Sequence, residues 1–410
     1  MVRNHVYKMN SLDFLPRLPF PENPLILFGA LLLTGALCGE LVRRVLNVPR
    51  ITGYVLSGLV LGASGLSVLD PAMRTYARVF VDVGLGLVLF EMGARLDLDW
   101  LRRDRWLAAM AAAECALSFL CVFGALTWFD IAPLNAAVAA AIGVASSPAV
   151  VLLVVRELRA EGQVTERTLN LVAINNIVAM LLLAMLMSWI HSEYRAGPET
   201  MFLHPLFLLG SSLFLGLSAS IAALLLAGWL GKQKDQHLVL LLAVIALLVG
   251  LSTVLKLPVF LVLLTFGVMV RNLDERHALM PVDMGRFAQV FYVVLFVANG
   301  ATLNTADLVT SGLLCAVYIA ARFVGKSIGV LSLAHLSGIR PGSGGLLSIA
   351  LMPMSGGALA MALSSASPYP EFGGKVLSIV LAASLILELV GPLAVQFALH
   401  RAHEAREDAL

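Results

Sequence analysis

From Leu25 to His400 the chain is a succession of long apolar runs joined by short polar loops. Inside a bilayer a backbone must satisfy its own amides and carbonyls, and apolar runs of about 20 residues do so as helices. With 59% hydrophobic and 13% charged residues, a soluble 410-residue domain is excluded. The expected fold class is an all-α polytopic membrane protein with about thirteen transmembrane helices. A polar leader over 1–24 and a tail over 401–410 flank the spans, leaving no expected room for a soluble regulatory domain. The first run, Leu25–Val42, lacks a clean small-residue cleavage site and is read as an uncleaved span.

Lys and Arg are distributed unevenly. Loops after odd-numbered spans, with the tail, carry 18 of them, against 8 on the other side. Positive charge stays on the cytoplasmic face, so the expected placement is a bacterial-type inner membrane, N-terminus outside and C-terminus inside. Cys38, Cys115, Cys121 and Cys315 lie in apolar runs without metal-ligand spacing, and neither a metal nor a cofactor is expected. No nucleophile–base pair or phosphate loop suggests an enzyme, and no nucleic-acid partner is expected.

Two spans are interrupted. The fifth, Leu134–Val155, contains Ser146-Ser147-Pro148, and the twelfth, Leu346–Ser364, contains Pro353-Met354-Ser355-Gly356-Gly357. Proline removes a helix hydrogen bond and glycine loosens the backbone, so each predicts two half-helices with unpaired amides and carbonyls at mid-membrane. The alternative is that both merely kink their helices. Their positions suggest two inverted six-span repeats around a linker span near 205–230. The sixth span, Leu169–Ile190, carries Asn175-Asn176 side by side. Polar side chains at this depth usually face a cavity or a partner, which points to a transport path.

Several motifs then converge. Ile51-Thr52-Gly53-Tyr54-Val55-Leu56-Ser57-Gly58-Leu59-Val60-Leu61-Gly62 resembles the second-span signature of the cation/proton antiporter superfamily, in particular its Kef-like potassium/proton branch. Leu89–Asp97, Val297–Leu303, Arg322-Phe323-Val324-Gly325-Lys326 and Glu388-Leu389-Val390-Gly391-Pro392 are similar to four further elements in the same order. The resemblance implies a Na⁺/H⁺ antiporter fold with crossed discontinuous helices, in a homodimer that exchanges a monovalent cation for protons. It implies a mobile core from spans near 106–190 and 308–400, and an interface or gate from spans near 25–96 and 237–303.

At one position the chain departs from the family. There the second member of the polar pair is an aspartate that binds cation and proton in turn; here it is Asn176. An amide offers a carbonyl oxygen but neither a releasable proton nor a charge. By resemblance, Glu114 on the fourth span is expected to cluster with Arg322 and Asn175, either as a structural ion pair or as the displaced titrating group. Ser146, Ser147 and Ser355 complete the expected ion or substrate site, and Pro148, Pro353, Gly356 and Gly357 shape the breaks. Glu388 and Lys326 are expected in structural or gating roles, Glu388 as a cap or in a structural pair for which Lys326 is one candidate partner. Asp82 and Glu91 lie on the third span, Glu91 in i+4 register with Arg95. Three functions stay open: a cation/proton exchanger, a carrier of an anionic or neutral solute drawn by Arg322, and a non-transporting scaffold or sensor, with a channel-like uniporter between them.

Overall fold

The computed structural model describes residues 23–67, 71–96, 98, 104–194, 199–274, 279, 284–340, 342–354, 356–366 and 370–406. The leader through residue 22, Asp97, Ser355 and the last four residues lie outside the described residues. Within them are fifteen helices: α1 Pro24–Leu46, α2 Arg50–Leu61, α3 Pro71–Arg95, α4 Arg105–Trp128, α5 Pro133–Val144, α6 Pro148–Glu157, α7 Gln163–Tyr194, α8 Glu199–Leu230, α9 Lys234–Val254, α10 Val259–Leu273, α11 Met284–Thr302, α12 Thr305–Ala334, α13 Ser343–Ala350, α14 Gly356–Ala366 and α15 Pro370–Arg401. Each expected span coincides with one helix or with a broken pair, α5–α6 and α13–α14. Eight of these, the α5–α6 pair among them, carry a stretch long and apolar enough to cross a bilayer, and Arg50–Leu61, Val259–Leu273 and Ala288–Thr302 are shorter apolar helices. The architecture is that of a polytopic all-helical membrane protein.

Local signals set the helix ends. Asn23 Oδ1 accepts from Leu25 N at 2.8 Å with Pro24 in the first turn of α1, and Asp104 Oδ1 accepts from Leu107 N at 3.0 Å at the start of α4. Such side chains satisfy amides that have no intrahelical partner. At the start of α7 the cap comes from the far end of the chain: Glu404 accepts from Val164 N and Thr165 N, both at 2.8 Å.

The helices bury two apolar clusters. One is built from α4, α5, α7, α12, α14 and α15 around Ile142, Tyr318, Met354 and Leu387. The other is centred on α1–α3, α10 and α11 and runs into α6, α7 and the ends of α15. Small residues let backbones touch where apolar surface alone provides no drive toward association in lipid. A Cβ on Gly325 would sit 2.5 Å from Leu117 O, and one on Gly329 would sit 2.4 Å from the Glu114 Cα. These two glycines, one turn apart, press α12 against α4 and bring Lys326 to Glu114.

Candidate ion-binding site at the two helix breaks

The first break is short. α5 ends at Val144, Ala145 to Ser147 are extended, and Ser147 caps α6 by accepting from Val150 N at 3.2 Å, with Pro148 as its first residue. Proline suits that position because its missing N–H is one the helix leaves unpaired. The second break separates the end of α13 at Ala350 from the start of α14 at Gly356. The two meet: Ser147 N donates to Pro353 O at 2.9 Å, and Ser146 Oγ donates to Leu351 O at 2.8 Å. Thus the expectation of two discontinuous helices in contact is met by geometry.

Arg322, 1% exposed, fills the space between them. Its Nε donates to Gly143 O at 2.8 Å, Nη1 to Met352 O at 2.7 Å and Nη2 to Ala145 O at 2.7 Å. Longer contacts reach Ser146 Oγ at 3.3 Å and Leu351 O and Pro353 O at 3.4 Å. These are the terminal carbonyls of α5 and α13, where two helix dipoles present their negative ends. One guanidinium therefore neutralises both.

The expected cluster needs correction here. Glu114 pairs with Lys326, not with Arg322, and both partners are fully buried. Lys326 Nζ also donates to Val144 O at 2.7 Å, and Glu114 Oε2 accepts from Cys115 Sγ at 3.4 Å. Arg322 and Lys326 are i and i+4 on α12, so both face the end of α5. The suggested Lys326–Glu388 pair is overturned by the same contact. Asn175 joins Arg322 only indirectly, through Ser146: its Nδ2 donates to Ser146 Oγ at 3.2 Å and its Oδ1 accepts from Ser146 N at 3.3 Å.

Asn176 is held firmly. Its Nδ2 donates to Ser146 O at 2.6 Å and to Val172 O at 2.7 Å. Two carbonyls on one side fix the amide orientation, since an oxygen there would be repelled. Oδ1 is left as the acceptor, and among the described residues no hydrogen bond reaches it. Asn176 borders a cavity lined also by Ser146, Ser147, Met354 and Gly357, with about 10 Å³ of room for the centre of a water-sized sphere. That is the room one water or one small bare ion needs. On its other side Asn176 meets an apolar gap walled by Leu89, Met92, Phe260 and Leu264 of α3 and α10.

Glu91 forms an ion pair with Arg156 of α6 and lies 3.8 Å from Arg95, and Tyr292 Oη donates to it at 3.2 Å. The i+4 contact with Arg95 exists, but Arg156 is the nearer cation, a partner that sequence spacing did not reveal. Beside it, Glu157 accepts from Arg50 N at 3.1 Å. Adjacent residues at the end of α6 thus bind α3 and α2.

The sodium/hydrogen exchanger transmembrane model matches residues 29–401, nearly the whole helical part of the chain. The chain belongs to the sodium/hydrogen exchanger family. A segment of 87 residues is 37% identical to the Na⁺/H⁺ antiporter NhaS5 of Synechocystis sp., and covers 21% of this chain and 12% of that protein. Another, of 78 residues, is 32% identical to the iron transporter MagA of Paramagnetospirillum magneticum, and covers 19% of this chain and 17% of MagA. These matches therefore span well under two thirds of either relative. Among solved structures, the sodium proton antiporter MjNhaP1 of Methanocaldococcus jannaschii superposes with a TM-score of 0.68 at 16% identity, over 92% of this chain and 98% of that one. The likeness establishes the antiporter fold. The family is one of transporters, not enzymes.

Proposed function

We propose that this family member is a secondary active transporter that exchanges a monovalent cation, Na⁺ or K⁺, for protons. Its core helices near 106–190 and 308–400 would move against gate helices near 25–96 and 237–303, with 205–230 as the linker. NhaS5 and MjNhaP1 are named as sodium/proton antiporters, which supports the substrate class. The motifs quoted above favour the Kef-like branch. We place the protein as a homodimer in a bacterial-type inner membrane, N-terminus outside and C-terminus in the cytoplasm, with its two halves as inverted repeats.

The observation that carries the cation reading is the orientation of the polar groups at the cavity. At the cavity the Arg322 guanidinium, Asn176 Nδ2 and the Ser146 hydroxyl all donate to backbone carbonyls, Asn175 Nδ2 donates to Ser146 Oγ, and Asn176 presents an acceptor oxygen. A bare cation is stabilised by such oxygens, whereas an anion needs free donors. Drawing an organic acid to Arg322 would require breaking its bonds to both helix ends, so the anion-carrier alternative has less support.

The test is proton flux in proteoliposomes. A pH dye reports the collapse of a preset gradient when Na⁺, K⁺ or Li⁺ is added, against empty liposomes. Saturable, cation-dependent collapse is expected; no response to any cation from folded protein would reject exchange.

A further inference from the structure

An exchanger needs a group that gives up a proton as the cation binds. Asn176 has none, and Glu114 is locked to Lys326. The second break has another carboxyl beside it. Gly391 of α15 is so close to Pro353 that a Cβ there would lie 3.0 Å from the Pro353 Cα. Glu388 lies three residues earlier, on the same face of α15. It is 1% exposed, and among the described residues its buried Oε1 has no hydrogen-bond partner. One turn further, Ser384 is also 1% exposed, and its Oγ is likewise buried and unpartnered. Two unmet polar atoms at i and i+4 are unusual in an interior where such groups are almost always bonded.

The polar group that faces Glu388 is the side chain of Asn299, on α11. The same amide packs against the first residue of α14: a Cβ on Gly356 would meet Asn299 Nδ2 at 2.6 Å. Glu388 is thus beside the start of α14, where the positive end of a helix dipole favours a negative charge. The helices packed on α15 carry Arg322, Lys326, Tyr318 and Cys315 on α12, Arg156 and Glu157 on α6, and Arg50 and Tyr54 on α2. Arg322 is held by the break carbonyls, Lys326 by Glu114, Arg156 by Glu91, Glu157 by Arg50 and Tyr318 by Ala139 O. No ion pair to Glu388 is found among the described residues.

We infer that Glu388, with Ser384 and the Asn299 amide, supplies the carboxyl that exchanges its proton for the cation in this chain, beside the second break, in addition to the Asn176 acceptor at the first. This rests on the exchange reading above. The neutral acid holds one proton at the occluded site. When a bare Na⁺ or K⁺ enters, that proton leaves Glu388 for water and the carboxylate oxygens take the cation, one positive charge for another. Because Asn299 belongs to α11 and Glu388 to α15, the site lies between the helices proposed to move against each other.

The experiment uses the full chain in proteoliposomes, with Glu388→Gln and Glu388→Asp, alongside pH-difference infrared spectra. Retained elution and melting temperature establish that each variant is folded. The expected result is cation-driven proton movement in the wild type, reduced to the empty-liposome level in Glu388→Gln and kept by Glu388→Asp with a displaced pH profile. A folded Glu388→Gln protein that exchanges with the wild-type pH profile overturns the inference and leaves the exchange reading intact. Should the wild type move no protons with any cation, exchange fails, and the spectra decide proton binding separately. A titrating carboxyl band absent from Glu388→Gln supports it; identical spectra overturn it. If Glu388→Gln does not fold, the Glu388→Asp profile and spectrum decide: a displaced midpoint and band support, wild-type values overturn.

Discussion

The two sides of the crossing are built to opposite rules. Around the first break every charged or donor side chain is bonded, with only the Asn176 Oδ1 acceptor left open at the cavity: Arg322 bonds both helix ends, Lys326 bonds Val144 O and Glu114, and Asn176 Nδ2 bonds two carbonyls. Beside the second break, Glu388 Oε1 and Ser384 Oγ are buried with no partner among the described residues. A buried polar group that is fully bonded rigidifies, while one left unbonded costs about 1–3 kcal/mol and is retained where it has something else to bind. The comparison separates what holds the crossing together from what is available for exchange, although both sides carry helix-end dipoles and buried polar groups.

The largest expected effect strikes the closed side. Arg322→Ala strands Gly143, Ala145 and Met352 carbonyls that the guanidinium now meets at 2.7–2.8 Å. At about 1–3 kcal/mol for each unmet acceptor, the loss rivals the whole stability of a domain. The variant should elute from detergent as aggregate. Wild-type elution and melting would show that the arginine is not the clasp. Next comes Lys326→Met, which leaves Glu114 buried and unpaired and should cost about 3–5 kcal/mol, read by thermal unfolding. Pairing it with Glu114→Gln should recover most of that loss. Glu388→Gln removes no ion pair, so it should melt at or above the wild-type temperature; a loss as large as that of Lys326→Met would erase the distinction between the two sides.

How far the sequence reveals this arrangement depends on the kind of feature. The breaks are legible because proline and glycine act on their own backbone: Ser147-Pro148 supplies a cap and a first-turn residue from local chemistry alone. The spans are legible from their apolar length. Partner choice is not. Arg322 and Lys326 are one turn apart on one face of α12, so helical periodicity offers Glu114 two equivalent cations. What selects Lys326 is the depth at which Gly325 and Gly329 press α12 onto α4, a tertiary contact. The same holds for Glu91, which spacing links to Arg95 and packing to Arg156. Asn299, inside a motif that carries only the resemblance, is brought to Glu388 and to Gly356 at the start of α14 by packing that spacing does not encode.

A subtler test exchanges the character of the two sides. Asn176→Asp replaces an amide that donates to Ser146 O at 2.6 Å and Val172 O at 2.7 Å with a carboxylate that those carbonyls repel. The variant should lose about 1–3 kcal/mol. In return, a charge would face the cavity where α6 and α14 both begin, a position their dipoles favour. Melting in the presence of Na⁺ should then rise further above the ion-free value than in the wild type, and more so at higher pH as the new carboxyl ionises. An unchanged cation response would mean that the cavity at the first break takes no ion even when charged, which leaves the second side as the seat of binding.

Ser384→Ala should have the smallest effect on stability and is the most diagnostic of the open side. Its hydroxyl is buried without a partner, so removing it deletes an unmet group and should shift stability by less than about 1 kcal/mol, in the favourable direction. A hydroxyl that only tolerates burial would leave transport as it was. A hydroxyl that helps Glu388 to hold a cation would, when deleted, raise the cation concentration needed for half-maximal exchange with little change in maximal rate. Measuring both quantities in one series of liposomes distinguishes a passive polar defect from a ligand, because the first changes only the melting temperature and the second changes the apparent affinity.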